Sequence, residues 1–112
     1  MEEGKIVASV TIDGNSPWFS GHFPDDPILP GIAQMKMVAD LVTKSGEGIL
    51  CMTGMSRVKF RKIVRPGDVL DIKVTRGDKK GQYIFKITSR DEDVCSGWMF
   101  FTESRQTGRN QA

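Results

Sequence analysis

The sequence predicts a small α+β protein in which an antiparallel sheet is wrapped around one central helix. Residues 32–42 form the one segment with a strong helical pattern, and eight of the eleven are apolar. A helix that is apolar nearly all round is expected to be buried on most sides. The flanking segments alternate apolar and polar residues, as strands do. A chain of 112 residues forms one domain, which we place at residues 1–103.

Five strands and their turns can be placed in chain order. The predicted strands cover residues 5–12, 49–60 (bent at Gly54), 69–76, 82–90 and 94–103. Turn-forming clusters join the last four, at residues 65–68, 77–81 and 91–93. Residues 104–112 have no apolar member before Ala112, so we expect a disordered tail.

The helix has clear start and stop signals. Pro30-Gly31 opens it, because the first turn of a helix tolerates a residue without a backbone N–H. Gly46 is a natural left-handed cap at its end. Gln34, Lys36 and Asp40 interrupt the apolar pattern. Lys36 and Asp40 are four residues apart, so they are neighbours on one face.

Composition excludes several classes of protein. No apolar run is long enough to span a membrane. The acidic start, Met1 to Lys5, has no hydrophobic signal core, which favours a cytoplasmic protein. Cys51 and Cys95 are far apart without other metal-ligand residues nearby, so we expect two buried thiols, no disulfide and no metal. A net charge of +2 is too small to indicate nucleic-acid binding.

A proline-rich segment leading into the helix holds the single histidine, His22. Prolines at 24, 27 and 30 favour extended conformations at Phe23, Asp26 and Leu29. A stiff arm of this kind fixes an imidazole beside a helix N-terminus, where free N–H groups attract a carbonyl oxygen or an anion. The local chemistry allows either a structural histidine or a catalytic one.

Two sequence blocks resemble the hotdog-fold 3-hydroxyacyl-(acyl carrier protein) dehydratases. The first is Phe19-Ser20-Gly21-His22-Phe23-Pro24, followed by Pro27 and Pro30-Gly31. The second is the segment Val58 to Asp68, Val-Lys-Phe-Arg-Lys-Ile-Val-Arg-Pro-Gly-Asp. The resemblance implies a hotdog fold and the removal of water from a 3-hydroxyacyl thioester to give a trans-2-enoyl thioester. It also implies a dimer with shared sites, and no cofactor beyond the phosphopantetheine of the acyl carrier protein.

The resemblance assigns roles to residues of both subunits. It implies that His22 removes the proton from C2 and that the Gly31 N–H stabilises the thioester oxygen. Lys36 stands where the family has Glu or Asp as the acid, and Asp40 stands at a family glutamine. We expect the substrate to be bound by residues around these groups: Phe23, Pro30, Ile32 and Asp40.

A basic strip on the second predicted strand is the candidate partner site. Arg57, Lys59 and Arg61 fall on one face, with Lys62 and Arg65 close behind. The strip is either an ordinary solvated face or a docking surface for an acidic partner. Among such partners the resemblance favours acyl carrier protein. No aromatic residues interleave with these charges in a stacking pattern, which argues against nucleic acid.

Three functions are compatible with these observations. The first is a dehydratase of fatty-acid or polyketide/polyene metabolism in which Lys36 replaces the usual acid. The second is a non-catalytic subunit that binds the acyl carrier, alone or beside an active paralogue. The third is an acyl thioesterase, for which the helix supplies no obvious acid. We expect a homodimer or a multiple of dimers, because a chain this short buries a modest core.

Overall fold

The computed structural model describes residues 5–14, 28–45 and 49–104. This part of the chain contains one helix, α1 (Gly31–Ser45), and five strands. The strands are β1 (Lys5–Thr11), β2 (Ile49–Phe60), β3 (Val69–Arg76), β4 (Gln82–Ser89) and β5 (Glu92–Ser104). The predicted α+β architecture is confirmed, with strand bounds that differ by two residues at most.

All five strands form one sheet in the order β1-β3-β4-β5-β2, and each strand is antiparallel to its neighbours. Strands β3, β4 and β5 follow each other as hairpins, which agrees with the short turn clusters between them. The β4–β5 turn lies one to two residues earlier than predicted. Arg90 and Asp91 both have positive φ, as the two central residues of a tight hairpin turn require.

One face of the sheet packs against α1 and forms the core. Alternate residues of β3, β4 and β5 are buried there, including Ile72, Phe85 and Met99. The helix contributes Ala33, Val38 and Val42 to the same cluster. Residues at the intervening positions of these strands lie on the opposite face, since successive side chains of a strand alternate. We call these two surfaces the helix face and the outer face of the sheet.

Two burial predictions are wrong. The helix is not buried on most sides within one chain: Ile32, Lys36 and Lys44 are exposed, and Met37, Ala39 and Leu41 are half-buried. Cys51 is exposed on β2, while Cys95 is buried as expected. The ladder between β2 and β5 shifts register after Met52 and again after Ser56. Such irregularities re-aim side chains, so simple alternation fails along β2.

In the described ranges, which leave out residues 15–27 among others, no helix has the length and apolar character needed to cross a membrane.

Candidate active site

The helix N-terminus is built on Pro30. The Pro30 carbonyl accepts hydrogen bonds from the N–H groups of Ala33 at 3.0 Å and Gln34 at 3.4 Å. The N–H groups of Gly31 and Ile32 come before these donors. The first N–H groups of a helix have no intrahelical partner and carry the positive end of its dipole. The local geometry therefore favours a carbonyl oxygen or an anion at Gly31 and Ile32.

The chain just before the helix is fixed to the segment that follows β2. The Leu29 N–H donates to the Val64 carbonyl at 2.8 Å. Leu29 and Val64 are both buried in the core. This hydrogen bond holds the end of the proline-rich segment against residues 61–64. The described end of the first block therefore lies beside the second block, although 26 residues separate Gly31 from Val58 along the chain.

Phe60, at the end of β2, lies directly against Gly31. A Cβ atom added at Gly31 would stand 2.7 to 3.2 Å from three atoms of the Phe60 ring. A Cβ at position 31 would force the Phe60 ring to shift, because real Cβ atoms essentially never come within 3.0 Å of a neighbour. Phe60 is nevertheless 52% exposed. Its ring thus forms one wall beside the helix N-terminus while part of it faces solvent.

Lys36 and Asp40 form an ion pair on the helix surface, as their spacing predicts. The Lys36 Nζ lies 3.2 Å from Asp40 Oδ2 and 3.4 Å from Oδ1. The two side chains are 61% and 47% exposed. An exposed pair at this spacing stabilises a helix by about 0.3–0.5 kcal/mol. The pair lies on a part of the helix that one chain leaves uncovered.

Gln34 belongs to the buried side of the helix, although the sequence grouped it with the polar interruptions. It is only 3% exposed. Among the described residues its Oε1 atom is buried without a hydrogen-bond partner. A buried unpaired acceptor costs about 1–3 kcal/mol. The Oε1 atom is therefore an acceptor that the described part of the chain leaves unused.

The basic strip lies on the outer face of the sheet, opposite to the helix. Lys59 pairs in register with Ser96, and both belong to that face. The Arg57 guanidinium lies 4.5 Å from the centroid of the Trp98 ring. Arg57, Lys59 and Arg61 line one groove of about 270 Å³ together with Ile84 and Trp98. The prediction that these three cations share a face is confirmed.

Two features give the basic strip its shape. Arg57 has a φ of 56°, in the left-handed region that non-glycine residues rarely occupy, at the irregular part of β2. Lys62 is neutralised by an ion pair with Glu92. The groove of the strip is lined by three cations, Arg57, Lys59 and Arg61, together with the Trp98 ring. Sequence reasoning missed Trp98, because Trp98 comes to the strip from another strand.

The predicted site residues fall into three groups. Pro30, Gly31 and Ile32 meet at the helix N-terminus, and Lys36 with Asp40 forms the pair one turn further on. Arg57, Lys59 and Arg61 lie on the other side of the sheet. His22 and Phe23 lie outside the described residues. Phe60 and Gln34 were not predicted, although Phe60 is part of the block that carried the resemblance.

Among the described residues, the remaining reactive groups give no sign of a second reaction centre. Burial raises the pKa of the Cys95 thiol to about 11, so it stays protonated at neutral pH. The described residues contain no cluster of metal-ligating side chains.

Comparison with known proteins gives one consistent group of dehydratases. A family model described as ApeI-like, ApeI dehydratase, matches residues 1–98. The chain is 39% identical over 115 aligned positions to 3-hydroxyacyl-(acyl-carrier-protein) dehydratase FabZ of Caldicellulosiruptor saccharolyticus, covering 90% of this chain and 80% of that protein. It is 33% identical over 120 positions to FabZ of Chloroflexus aggregans, covering 96% and 82%.

Solved structures share the fold of this chain, and one of them is also a dehydratase. The dehydratase heterocomplex ApeI:P from Xenorhabdus doucetiae superposes with a TM-score of 0.82 at 26% identity, covering 89% of this chain and 88% of that one. An acyl-CoA hydrolase from Staphylococcus aureus superposes with a TM-score of 0.69 at 16% identity, covering 97% and 71%. The second likeness shows the shared fold alone.

Proposed function

This chain belongs to the family of hotdog-fold 3-hydroxyacyl-(acyl carrier protein) dehydratases, and we propose from this premise that it removes water from a 3-hydroxyacyl thioester. The product is a trans-2-enoyl thioester. The observation that carries the proposal is the helix N-terminus at Gly31, where the end of the first sequence block meets the second. The reaction needs no cofactor beyond the phosphopantetheine of the acyl carrier protein, and we place it in the cytoplasm.

His22 is the proposed base. In the dehydration, the C2–H bond breaks and its proton passes to the imidazole. The C3–O bond then breaks, and the hydroxyl leaves as water after it takes up a proton. A neutral imidazole suits the first step because it titrates near physiological pH. The assignment of His22 rests on the His-Phe-Pro motif, since the residue lies outside the described ranges.

The N–H groups of Gly31 and Ile32 are the proposed donors to the thioester oxygen. Negative charge develops on that oxygen when the C2 proton leaves. Preorganised donors aimed at developing charge contribute strongly to catalysis. Pro30 fixes these donors by capping the helix. Phe60 shields their surroundings because its ring lies against Gly31, and we expect Phe23 to line the same site.

Lys36 is the proposed proton donor to the departing hydroxyl, with Asp40 orienting its ammonium group. An ammonium can give up a proton, although it replaces the carboxylic acid of the family. A general acid contributes roughly 100- to 10,000-fold in rate, which corresponds to about 3–5 kcal/mol of the barrier. Lys36 is exposed in one chain. The proposal therefore includes a dimer, in which Lys36 works beside the partner subunit's base.

A second candidate function follows from the same lysine. If an exposed ammonium is a poor acid here, the chain serves as a binding subunit beside a paralogue that supplies the acid. The solved relative from Xenorhabdus doucetiae is itself a dehydratase heterocomplex. Sedimentation of the purified chain measures its oligomeric state, on which the shared site depends. We expect a dimer at micromolar concentration, and a stable monomer would contradict the shared site.

The basic strip is the proposed docking surface for acyl carrier protein. Its three cations, Arg57, Lys59 and Arg61, surround one groove on the outer face. Complementary charge speeds the encounter of two proteins and orients them. This docking surface is on the side of the sheet away from α1, while the proposed reaction occurs at the helix N-terminus. Recognition of the carrier and chemistry on the acyl chain are therefore assigned to different faces.

Turnover of defined substrates tests the proposal. Purified protein is given a 3-hydroxyacyl-(acyl carrier protein) and, separately, the corresponding trans-2-enoyl form. We expect interconversion in both directions, and His22→Ala should lower the rate by roughly 100- to 10,000-fold. Lys79→Ala, in the exposed turn between β3 and β4, is the control and should leave the rate unchanged. Without turnover in either direction, the binding-subunit function is correct.

A further inference from the structure

Gln34 presents an unused hydrogen-bond acceptor close to the proposed site. Its Oε1 atom is buried and, within the described part of the chain, unpaired. Gln34 is three residues after Gly31 in the same helix, so both lie on one face. Helical side chains lean toward the helix N-terminus and cover the turn before their own Cα. The Gln34 carboxamide therefore belongs to the turn that Pro30 and Gly31 begin.

The cost of this arrangement indicates a function. A methionine or leucine at position 34 would fill a similar volume without an unpaired polar atom. Native proteins pair the great majority of their buried polar groups, and each exception calls for a cause. The other side chains that α1 buries, Ala33, Met35, Val38 and Val42, are apolar. Gln34 is thus the one polar side chain on the buried side of α1, and it lies in the first turn of the helix.

We propose that Gln34 binds the 3-hydroxyl group of the substrate through Oε1. This inference rests on the proposed dehydratase function and deepens it. The hydroxyl donates its hydrogen to Oε1, and its oxygen lone pairs then stay free to accept the proton that makes it a leaving group. Phe60, whose ring lies against Gly31, forms the neighbouring wall of this site. Gln34 acts as a binding and orienting residue, without taking a proton.

The proposal predicts opposite effects of one substitution on stability and on binding. Gln34→Met removes the unpaired acceptor, so the melting temperature should rise. The same substitution should weaken the binding of a ligand that carries the hydroxyl, by about three- to tenfold for one hydrogen bond. A purely structural glutamine would show no such dependence on the ligand. Met35→Leu, a volume-conserving change at the next buried position, is the matched control.

Calorimetry with two thioesters tests this prediction. The probes are a 3-hydroxyacyl-pantetheine and the saturated acyl-pantetheine of the same chain length, which differ by the hydroxyl alone. The His22→Ala background prevents turnover of the first probe. With Gln34 present, the hydroxylated probe should bind more tightly. Gln34→Met should abolish that preference, and Met35→Leu should keep it.

Other outcomes overturn different parts of the account. If both probes bind and Gln34→Met leaves the preference unchanged, the role of Gln34 is wrong and the proposed function stands. If Gln34→Met lowers the melting temperature, the carboxamide is paired in the folded protein and the inference loses its basis. If neither probe binds, the proposed function itself is wrong, and the inference is overturned with it.

Discussion

The two faces of the sheet differ in what they offer a ligand. The helix face is apolar and buried, and Gly31 at the N-terminus of α1 lies against Phe60. The outer face carries charged and half-exposed side chains, with three cations gathered around Trp98. An apolar acyl chain suits the first surface and an acidic protein suits the second. Under the proposed function, chemistry and partner recognition are thus separated by the thickness of one sheet.

The largest change in activity is expected from placing a carboxyl group at position 36 of the helix. Lys36→Glu should raise dehydratase activity tenfold or more, because a glutamate at this position can serve as the family's acid if its surroundings keep it protonated. Asp40, four residues on, favours the protonated form through repulsion. Steady-state rates measure the effect, and affinity for the carrier should not change. Lys44→Glu, in the last turn of the same helix, is the control.

The opposite result would also be informative. If the wild type is already fully active and Lys36→Glu is slower, Lys36 is itself the proton donor. If neither form turns over any 3-hydroxyacyl substrate, the binding-subunit function is favoured.

The contact between Gly31 and Phe60 should contribute a moderate part of the stability. Gly31→Ala places a methyl group against the ring, and overpacking of this kind costs about 1–3 kcal/mol. The cost should be smaller in a Phe60→Ala background, where the ring is absent. Urea unfolding of the four proteins in this cycle gives the coupling energy. Equal costs in both backgrounds would mean that the ring moves aside freely and does not shape the helix N-terminus.

A smaller effect on the free energy of unfolding should come from the Cys95 thiol at high pH. The folded pKa of Cys95 is raised to about 11, so the unfolded chain releases this proton first as pH rises. The contribution of the protonated Cys95 thiol to the free energy of unfolding is complete below about pH 9 and is lost as the pH approaches about 11. The unfolding free energy of the wild type should thus fall more steeply over this range than that of Cys95→Ala. Cys51→Ala, at an exposed position, should keep the wild-type slope.

Most of the fold could be predicted because local signals agree with each other. The period-two patterns of β3, β4 and β5 and the turn residues between them leave one register for the hairpins. The spacing of Lys36 and Asp40 gave their contact directly. The family resemblance predicted the hotdog fold, and the matches to dehydratases of that family confirm it.

The rest could not be predicted because it depends on which surfaces meet. Cys51 pairs with Thr102 on the outer face of the sheet, where it is exposed, and the irregular ladder of β2 sets Arg57 over Trp98. The burial of Gln34 depends on how the helix is rotated against the sheet, which an almost uniformly apolar pattern does not specify. The uncovered part of the helix around Ile32 and Lys36 shows that the same pattern also overestimated burial within one chain.

The separation of the two faces is tested most directly by comparing two substrates in one variant. The substrates are the same 3-hydroxyacyl group on acyl carrier protein and on pantetheine alone, and the variant reverses the charges of Arg57, Lys59 and Arg61. We expect kcat/KM to fall with the carrier-bound substrate, increasingly so at low salt where exposed charges are least screened. The pantetheine substrate should react as in the wild type, and reversal of Lys73, Lys79 and Lys80 should affect neither. Equal losses with both substrates, or no loss with either, would contradict the assignment of the carrier to the outer face.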